Sequence, residues 1–235
     1  ETVAVTLLSS VGGSITGFTQ AVATITDDDA APDVTLSIPQ ATTLEDFGQA
    51  QVTATLSAVS GQNVIVDLSY TGVAIRGTDY LAPTQITIPA GRLSAAVNIV
   101  GQRDGLDEFN ESVNVEIVGV TNSFTLSLQT ATTTILDNDS QPTVNLSVSS
   151  ATIAEASGAA VFTATLSRIS GRDVTVDLGL TGAAVAATDY VAPSTQIVIP
   201  AGTLSASVTV TALEDALNED DETVTVTMVS ADFAV

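Results

Sequence analysis

The sequence predicts an all-β chain of tandem immunoglobulin-like antiparallel β-sandwiches, with about seven strands in each module. Three observations indicate this: a repeat of about 110 residues, alternation of apolar and polar side chains, and a composition rich in Val, Thr, Ala, Ser, Leu and Ile. Seven short strands in about 110 residues match the size of an immunoglobulin-like sandwich. Alternating β-branched residues are typical of strands that bury one face. We find no segment with the period of an amphipathic helix.

The repeat is visible as matching motifs at one spacing. The motif Thr-Asp-Tyr at residues 78–80 recurs at residues 188–190, and Glu45 recurs as Glu155. Agreement at several points with a single spacing identifies tandem modules. The register predicts a C-terminal fragment of one module, one complete module, and one module that lacks its last strand. These segments are residues 1–29, 33–139 and 143–235.

Period-two alternation defines the strands of the complete module. In chain order, the predicted strands lie at residues 34–38, 52–56, 64–69, 86–88, 93–99, 113–117 and 126–135. Gly and Pro between them supply the turns. Because Trp is absent and aromatic residues make up only 4% of the chain, the cores must be built from small aliphatic residues. We therefore expect stability to depend on a further interaction, which a cation bound only by the folded state would supply.

The chain is strongly acidic. It has 27 Asp and Glu against 5 basic residues, all Arg, and a net charge of -22. This charge repels nucleic acid and anionic membranes, so we expect neither as a partner and expect cations instead. The hydrophobic content of 45% argues against a disordered acidic tail. No segment approaches the ~18 apolar residues of a membrane span.

The residue types that are missing narrow the chemistry. The chain has no Cys and no His, which excludes thiolate and Ser-His nucleophiles and the usual zinc sites. It also has no Lys, which excludes Lys–Asn isopeptide crosslinks. Paired carboxylates can serve a glycosidase or an aspartic dyad, but no nucleophile or substrate motif accompanies them here. We predict that the chain is not an enzyme.

Acidic clusters stand at the predicted joints between modules. Asp137-Asn-Asp139 ends one module, and residues 140–142 separate it from the next strand; Asp27-Asp-Asp29 and residues 30–32 repeat this pattern. Clustered carboxylates repel one another unless a cation neutralises them, and oxygen ligands suit calcium. Each link has three residues including Pro, which makes it too short and stiff to be flexible. The pattern predicts calcium ions near the joints.

Four features in a fixed order resemble the Calx-beta domain family. They are Glu45 after the first strand, the motif at residues 77–80, the acidic segment 104–111 and the terminal Asp137-Asn-Asp139. The first three recur in the next module, so the resemblance covers nearly the whole chain. It implies a Ca²⁺ cluster at one end of each sandwich, built from loops and strand ends.

The resemblance also implies the ligands, residue by residue. In the complete module they are six carboxylates and the carbonyl of Leu106: Glu45, Asp79, Asp104, Leu106, Glu108, Asp137 and Asp139. In the following module they are Glu155, Asp189, Glu214, Asp215, Glu219 and the carbonyl of Leu217. In the N-terminal fragment they are Asp27, Asp28 and Asp29.

Several charged residues near these sets are harder to assign. Glu111 and Glu222 either bind the cation or cap the start of a strand. Arg103 stands where the next module has Glu214 and where the family usually places an acid. We therefore expect the complete module to bind fewer calcium ions or to bind them more weakly. Arg168 and Arg172 are interpreted as ordinary surface charge, since both lie near a turn.

The expected function is structural. We expect a calcium-binding repeat segment of a large extracellular or cell-surface fibre or adhesin, of bacterial source, in which calcium rigidifies the joints. Its partners would be calcium ions and neighbouring modules, in the same chain or in other copies of a fibre. Two alternatives stay open: a calcium sensor whose inter-module angle regulates a partner, and a filament subunit completed by strand exchange.

Overall fold

The computed structural model describes residues 1–17, 19–124 and 129–234, and all of their regular structure is β-strand. The strands are β1 (Thr2–Thr6), β2 (Gln20–Thr24), β3 (Val34–Ser37), β4 (Thr42–Leu44), β5 (Gln49–Leu56), β6 (Val64–Gly72), β7 (Tyr80–Leu81), β8 (Gln85–Ile88), β9 (Ser94–Gly101), β10 (Glu111–Thr121), β11 (Thr130–Leu136), β12 (Val144–Val148), β13 (Ala159–Leu166), β14 (Val174–Gly182), β15 (Tyr190–Val191), β16 (Gln196–Ile199), β17 (Ser205–Ala212) and β18 (Val224–Asp232). The predicted all-β class is confirmed.

Strands β3 to β11 form a sandwich of two sheets. One sheet has the order β4-β11-β10-β6-β8, and the other has the order β3-β5-β9-β7. Neighbouring strands are antiparallel except β4, which runs parallel to β11. Small side chains from both sheets fill the core, including the fully buried Val52, Val66, Ile88 and Val115. The core is therefore aliphatic, as the composition predicts, with Tyr80 as its largest buried side chain.

The predicted strands of this sandwich all have counterparts, with differences at the ends. The last strand was expected to begin at residue 126, but residues 125–128 lie outside the described residues, and β11 begins at Thr130. Two additional strands, β4 and β7, have three and two residues. Such short strands cannot show a period-two pattern, which explains why alternation did not reveal them.

Strands β12 to β18 form a second pair of sheets. Their orders are β12-β13-β17-β15 and β16-β14-β18. Within the described residues, no strand pairs with the outer edge of β18 or takes the places that β4 and β11 have in the first sandwich. In consequence Val224 and Val226 are only half-buried, although Val113 and Val115, which correspond to them, are fully buried.

Strands β1 and β2 form an antiparallel hairpin in the first 25 residues. All ten of their residues are exposed, which contrasts with the buried faces of the other sheets. The described residues include no helix of the length and apolar character needed to cross a membrane.

Candidate metal centre

The parallel pairing of β4 with β11 creates the first group of acids. Because both strands run the same way, their ends lie side by side, and the Glu45 N–H donates to the Leu136 carbonyl at 3.2 Å. Glu45 directly follows β4, and Asp137 directly follows β11. The Asp139 N–H then donates to Asp137 Oδ1 at 3.2 Å, which turns the chain back. Glu45, Asp137 and Asp139 each place a carboxylate oxygen within 4.8 Å of the others.

A second group forms where β7 meets β9. The Gln102 N–H donates to the Asp79 carbonyl at 2.8 Å, so the turn before β7 is held against the segment after β9. Asp104 follows in that segment, and its Oδ1 accepts the Leu106 N–H at 2.8 Å. Asp79, Asp104 and Glu108 again place carboxylate oxygens within 4.8 Å of one another.

Five of these six acids, all except Asp139, line one small cavity. Its volume is about 10 Å³, close to the minimum that holds one water molecule. Glu111, at the start of β10, also lines this cavity and hydrogen-bonds to Asp79. The acids therefore converge on a space of ionic size at one end of the sandwich, as the resemblance implies.

Burial and repulsion between like charges raise the pKa of two carboxyls at this cavity, Glu45 and Glu111. Burial, a hydrogen bond to Asp139 and the charge of Asp137 raise the pKa of Glu45 to about 8. Burial and the charge of Asp79 raise the pKa of Glu111 to about 7. Glu45 is 7% exposed, and its Oε1 has no hydrogen-bond partner among the described residues. An orphaned buried oxygen beside several carboxylates fits a hard divalent cation that takes ~6–8 oxygen ligands.

The structure brings together all six carboxylates predicted for the complete module. In the following segment it brings together Glu155, Asp215 and Glu219, all exposed. Asp189 lies close by: its Oδ2 accepts the Val185 N–H at 2.6 Å, and it hydrogen-bonds to Glu222. Asp215 and Glu219 are therefore grouped as Asp104 and Glu108 are in the first module, but Glu155 joins them, whereas the matching Glu45 belongs to the other group. The second-module group also lacks the burial of the first-module groups.

Other predicted ligands lie outside these groups. Glu214 and the residues Asp27 to Asp29 are exposed, and their carboxylates join none of the three groups. The Leu217 N–H donates to Asp215 Oδ1 at 2.7 Å, matching Leu106 and Asp104 in the first module. The assignment of all these residues as ligands stays a prediction.

Arg103 does not reach either acidic group of the first module. Its Nε lies 3.5 Å from Asp46 Oδ1, and both side chains are well exposed. An exposed pair of this kind contributes little to stability. The guanidinium therefore does not take the place of an ion in either group.

Arg172 was interpreted as ordinary surface charge, and this interpretation is wrong. The side chain is only 15% exposed, and its Nη2 lies 3.0 Å from Asp107 Oδ1 and 3.4 Å from Asp137 Oδ2. Nη2 also donates to the Glu108 carbonyl. Arg172 belongs to the second sandwich and the three acceptors belong to the first. The guanidinium thus bridges the joint and contacts Asp137, a member of the first acidic group.

Two aromatic rings flank this guanidinium. Its central carbon lies 4.5 Å from the ring centroid of Phe109 and 5.0 Å from that of Phe233, in cation–π geometry. The two rings also meet edge to face at 5.6 Å. Contact between charge and ring adds to the ion pairs, so the joint is both charged and aromatic.

The backbone holds Arg172 in position. The Gly171 N–H donates to the Asp107 carbonyl at 3.1 Å, and Ser170 Oγ donates to the same carbonyl at 3.2 Å. Burial raises the pKa of Asp107, and the nearby Arg172 opposes part of that shift. The turn at residues 60–63 corresponds to residues 170–173 and carries Gln62 in place of Arg172. This difference between the repeats was the one feature of the sequence that could have indicated a special role for Arg172.

We predict that the metal-free chain loses stability as the pH rises from about 4.5 to about 8. The pKa of Glu45 is raised in the folded state, from 4.5 to about 8, so the folded state keeps a proton that the unfolded state releases in this range. The stabilisation that this proton gives the folded state is complete below pH 4.5 and is lost as the pH rises through about 8. Thermal unfolding in chelator should therefore show a lower melting temperature at pH 8 than at pH 5.

Two variants separate the effect of Glu45 from the general acidity of the chain. Glu45→Gln should weaken the pH dependence, because it removes one of the two groups that titrate in this range, the other being Glu111. Glu116→Gln changes a carboxylate on β10 that belongs to none of the acidic groups. This variant should keep the pH dependence of the unsubstituted chain. Equal melting temperatures for the unsubstituted chain at both pH values would contradict the raised pKa.

A family model and several solved structures are similar to this chain. A family model, the Calx-beta domain, matches residues 27–139 and 137–234. The crystal structure of CBD12 from CALX1.2 is 17% identical over 79% of this chain and 76% of that chain, with a TM-score of 0.39. The structure of calcium binding domain CBD12 of CALX1.1 is 16% identical over 85% and 82%, also at 0.39. The chain matches no curated protein.

Proposed function

Because the chain belongs to the Calx-beta family, we propose that it is a calcium-binding structural segment in which calcium stiffens the joint between modules. We propose further that it forms part of a large extracellular or cell-surface fibre or adhesin of bacterial source. The tandem modules, the short Pro-containing links and the acidic, Cys-free composition support this role. The role is one of binding and mechanics rather than of catalysis.

One observation carries the proposal: Asp137 serves both the metal centre and the joint. One of its oxygens lies in the group with Glu45 and Asp139, and Oδ2 lies 3.4 Å from Arg172 of the next module. A cation that fixes Asp137 therefore fixes the acceptor of the guanidinium as well. Conversely, repulsion within a metal-free group would push Asp137 away from its place. Binding and stiffness are coupled through this one side chain.

The donor set favours calcium over other cations. The groups contain only carboxylates, and the chain has neither Cys nor His. Oxygen-only sets with several carboxylates suit calcium, and calcium tolerates ligands drawn from separate loops. Glu45 and Asp137 would hold the ion on the β4–β11 side, and Asp79 and Asp104 would hold it on the β7–β9 side. The ion would supply positive charge that cancels their repulsion.

The test is the distribution of distances across the joint. The chain has no Cys, so Thr87→Cys on β8 and Val198→Cys on β16 allow two exposed spin labels, one in each module. With calcium we expect one narrow distance distribution, and with chelator a broad one. A control pair within the first module, Ser37→Cys and Thr87→Cys, should change little.

Two other outcomes would decide against joint stiffening. A change between two narrow distances would support the calcium sensor, because it would show two defined angles rather than a loose and a fixed joint. An identical distribution with calcium and chelator would contradict both functions. Calorimetry on the same samples measures calcium binding directly. It therefore distinguishes a joint that does not respond to bound calcium from a site that does not bind calcium.

A further inference from the structure

Phe233, which directly follows β18, has a backbone conformation that aromatic residues rarely adopt. Its φ is 58°, in the left-handed region, where the Cβ atom lies too close to the backbone for most residues. The corresponding residue of the first sandwich is Asn122, with a φ of 61°, and Asn tolerates this region. Asn122 Nδ2 also donates to the Asn63 carbonyl at 3.0 Å, which a Phe side chain cannot do. The second sandwich therefore carries a residue that is unfavourable for its own fold at this position.

The Phe233 ring lies outside the core of its own sandwich. Among the described residues, the buried cluster of the second sandwich and the half-buried side chains packed against it are all aliphatic and do not include Phe233. The ring instead meets the Phe109 ring edge to face, with centroids 5.6 Å apart, and lies 5.0 Å from the guanidinium carbon of Arg172. Since Phe109 belongs to the first sandwich, the Phe233 ring packs across the joint.

The burial of Arg172 explains what this ring contributes. The Arg172 side chain is only 15% exposed, and its Nε has no hydrogen-bond partner among the described residues. A charged group that leaves water with a donor unpaired loses hydration free energy that other interactions must offset. Aromatic rings within ~6 Å attract a cation, and the rings of Phe109 and Phe233 both lie within this distance. The two rings thus replace part of the hydration that Arg172 loses at the joint.

We propose that Phe233 is a positioning residue of the joint, held in an unfavourable backbone conformation so that its ring can contact Arg172 and Phe109. Strained residues persist where their surroundings hold them, and they are frequent at functional sites. An Asn at this position would relieve the strain but would leave the guanidinium with one ring instead of two. The stability of the second sandwich and the stiffness of the joint therefore oppose each other here. This inference rests on the proposed stiff joint but not on calcium, because the side chains themselves make the contacts.

Two substitutions separate the ring from the backbone conformation. Phe233→Ala removes the ring and keeps the unfavourable conformation, whereas Phe233→Asn removes the ring and relieves it. Spin labels on Thr87→Cys and Val198→Cys measure the distance across the joint, and both variants should broaden its distribution equally with calcium bound. The Asn variant should nevertheless melt roughly 2–4 °C higher than the Ala variant, because Asn tolerates the left-handed region.

The matched control in the first sandwich is Asn122→Ala. It places Ala in the same left-handed conformation and removes the hydrogen bond to Asn63, so it should lower the melting temperature. Because Asn122 bonds to its own sandwich, the distances across the joint should stay narrow in this variant.

The remaining outcomes would each overturn one part of the proposal. Narrow distances in both variants of Phe233, or broadening in only one of them, would overturn the role of the ring. Equal melting temperatures of these two variants would overturn the strain. The unsubstituted chain separates this inference from the proposed function. Distances that are narrow both in calcium and in chelator would contradict the role of calcium alone, whereas distances that are broad in both would contradict the two proposals together.

Discussion

Chelation of calcium should lower the melting temperature of this chain by roughly 10–20 °C. The first sandwich gathers two groups of three carboxylates, five of which line a single cavity, and its core contains only small aliphatic side chains apart from Tyr80. A ligand at 100 times its Kd adds ~2.7 kcal/mol per site, and ~1 kcal/mol moves the melting temperature of a chain this size by ~2–4 °C. One site in each sandwich accounts for the expected shift, which calorimetry with calcium and with chelator would measure.

A pair of substitutions shows whether these acids are responsible. Asp79→Asn removes one carboxylate from the second group, so it should reduce both the shift and the calcium affinity. Glu116→Gln removes the same charge from β10, away from the groups, and should leave both unchanged. Equal effects of the two variants would mean that calcium acts on the net charge of -22 rather than at the cavity.

Arg172→Ala should loosen the joint and destabilise the chain by roughly 3–5 kcal/mol, the cost of leaving a buried charge without its partner. The Asp107 side chain is only 3% exposed, and its Oδ2 already has no hydrogen-bond partner among the described residues. The variant also removes the cation–π contacts with Phe109 and Phe233. Spin-label distances across the joint should then be broad even when calcium is bound.

The control for this substitution is Arg92→Ala, which removes an exposed arginine from a turn of the first sandwich. It should change neither the stability nor the distances. Asp107→Asn, alone and combined with Arg172→Ala, completes a double-mutant cycle that isolates the coupling of the two side chains. A coupling near zero would mean that the ion pair does not hold the joint.

The fold of this chain could be predicted because the sequence features that indicate it recur at regular spacings. Alternation along β5, β6 and β10 is visible in the sequence, and the repeat of about 110 residues places each motif twice. The acids of the first site were assigned through the family resemblance, whose motifs recur with the same period, and their role as ligands stays a prediction. Strand β4 was missed because three residues cannot show a period, although its parallel pairing with β11 brings Glu45 to the site.

The joint could not be predicted by the same means. Arg172 and Asp107 come from different modules, 65 positions apart, and neither residue is repeated, since Gln62 and Asn218 stand at the matching positions. Their contact depends on the angle between two sandwiches, which no local pattern encodes. The burial that raises the pKa of Glu45 and Asp107 is likewise a property of the assembled structure.

The turn that carries Arg172 makes the order of the modules matter. In the first module the corresponding residue is Gln62, and the residues of the second module that match Asp107 and Phe109 are Asn218 and Asp220. Exchanging the two modules would therefore bring an amide toward an amide, with neither a buried charge nor a ring between them. Recombination among such repeats can preserve every sandwich and still lose the contact that joins them. The two modules are therefore not interchangeable, because the contact between them requires Arg172 in one and Asp107 in the other.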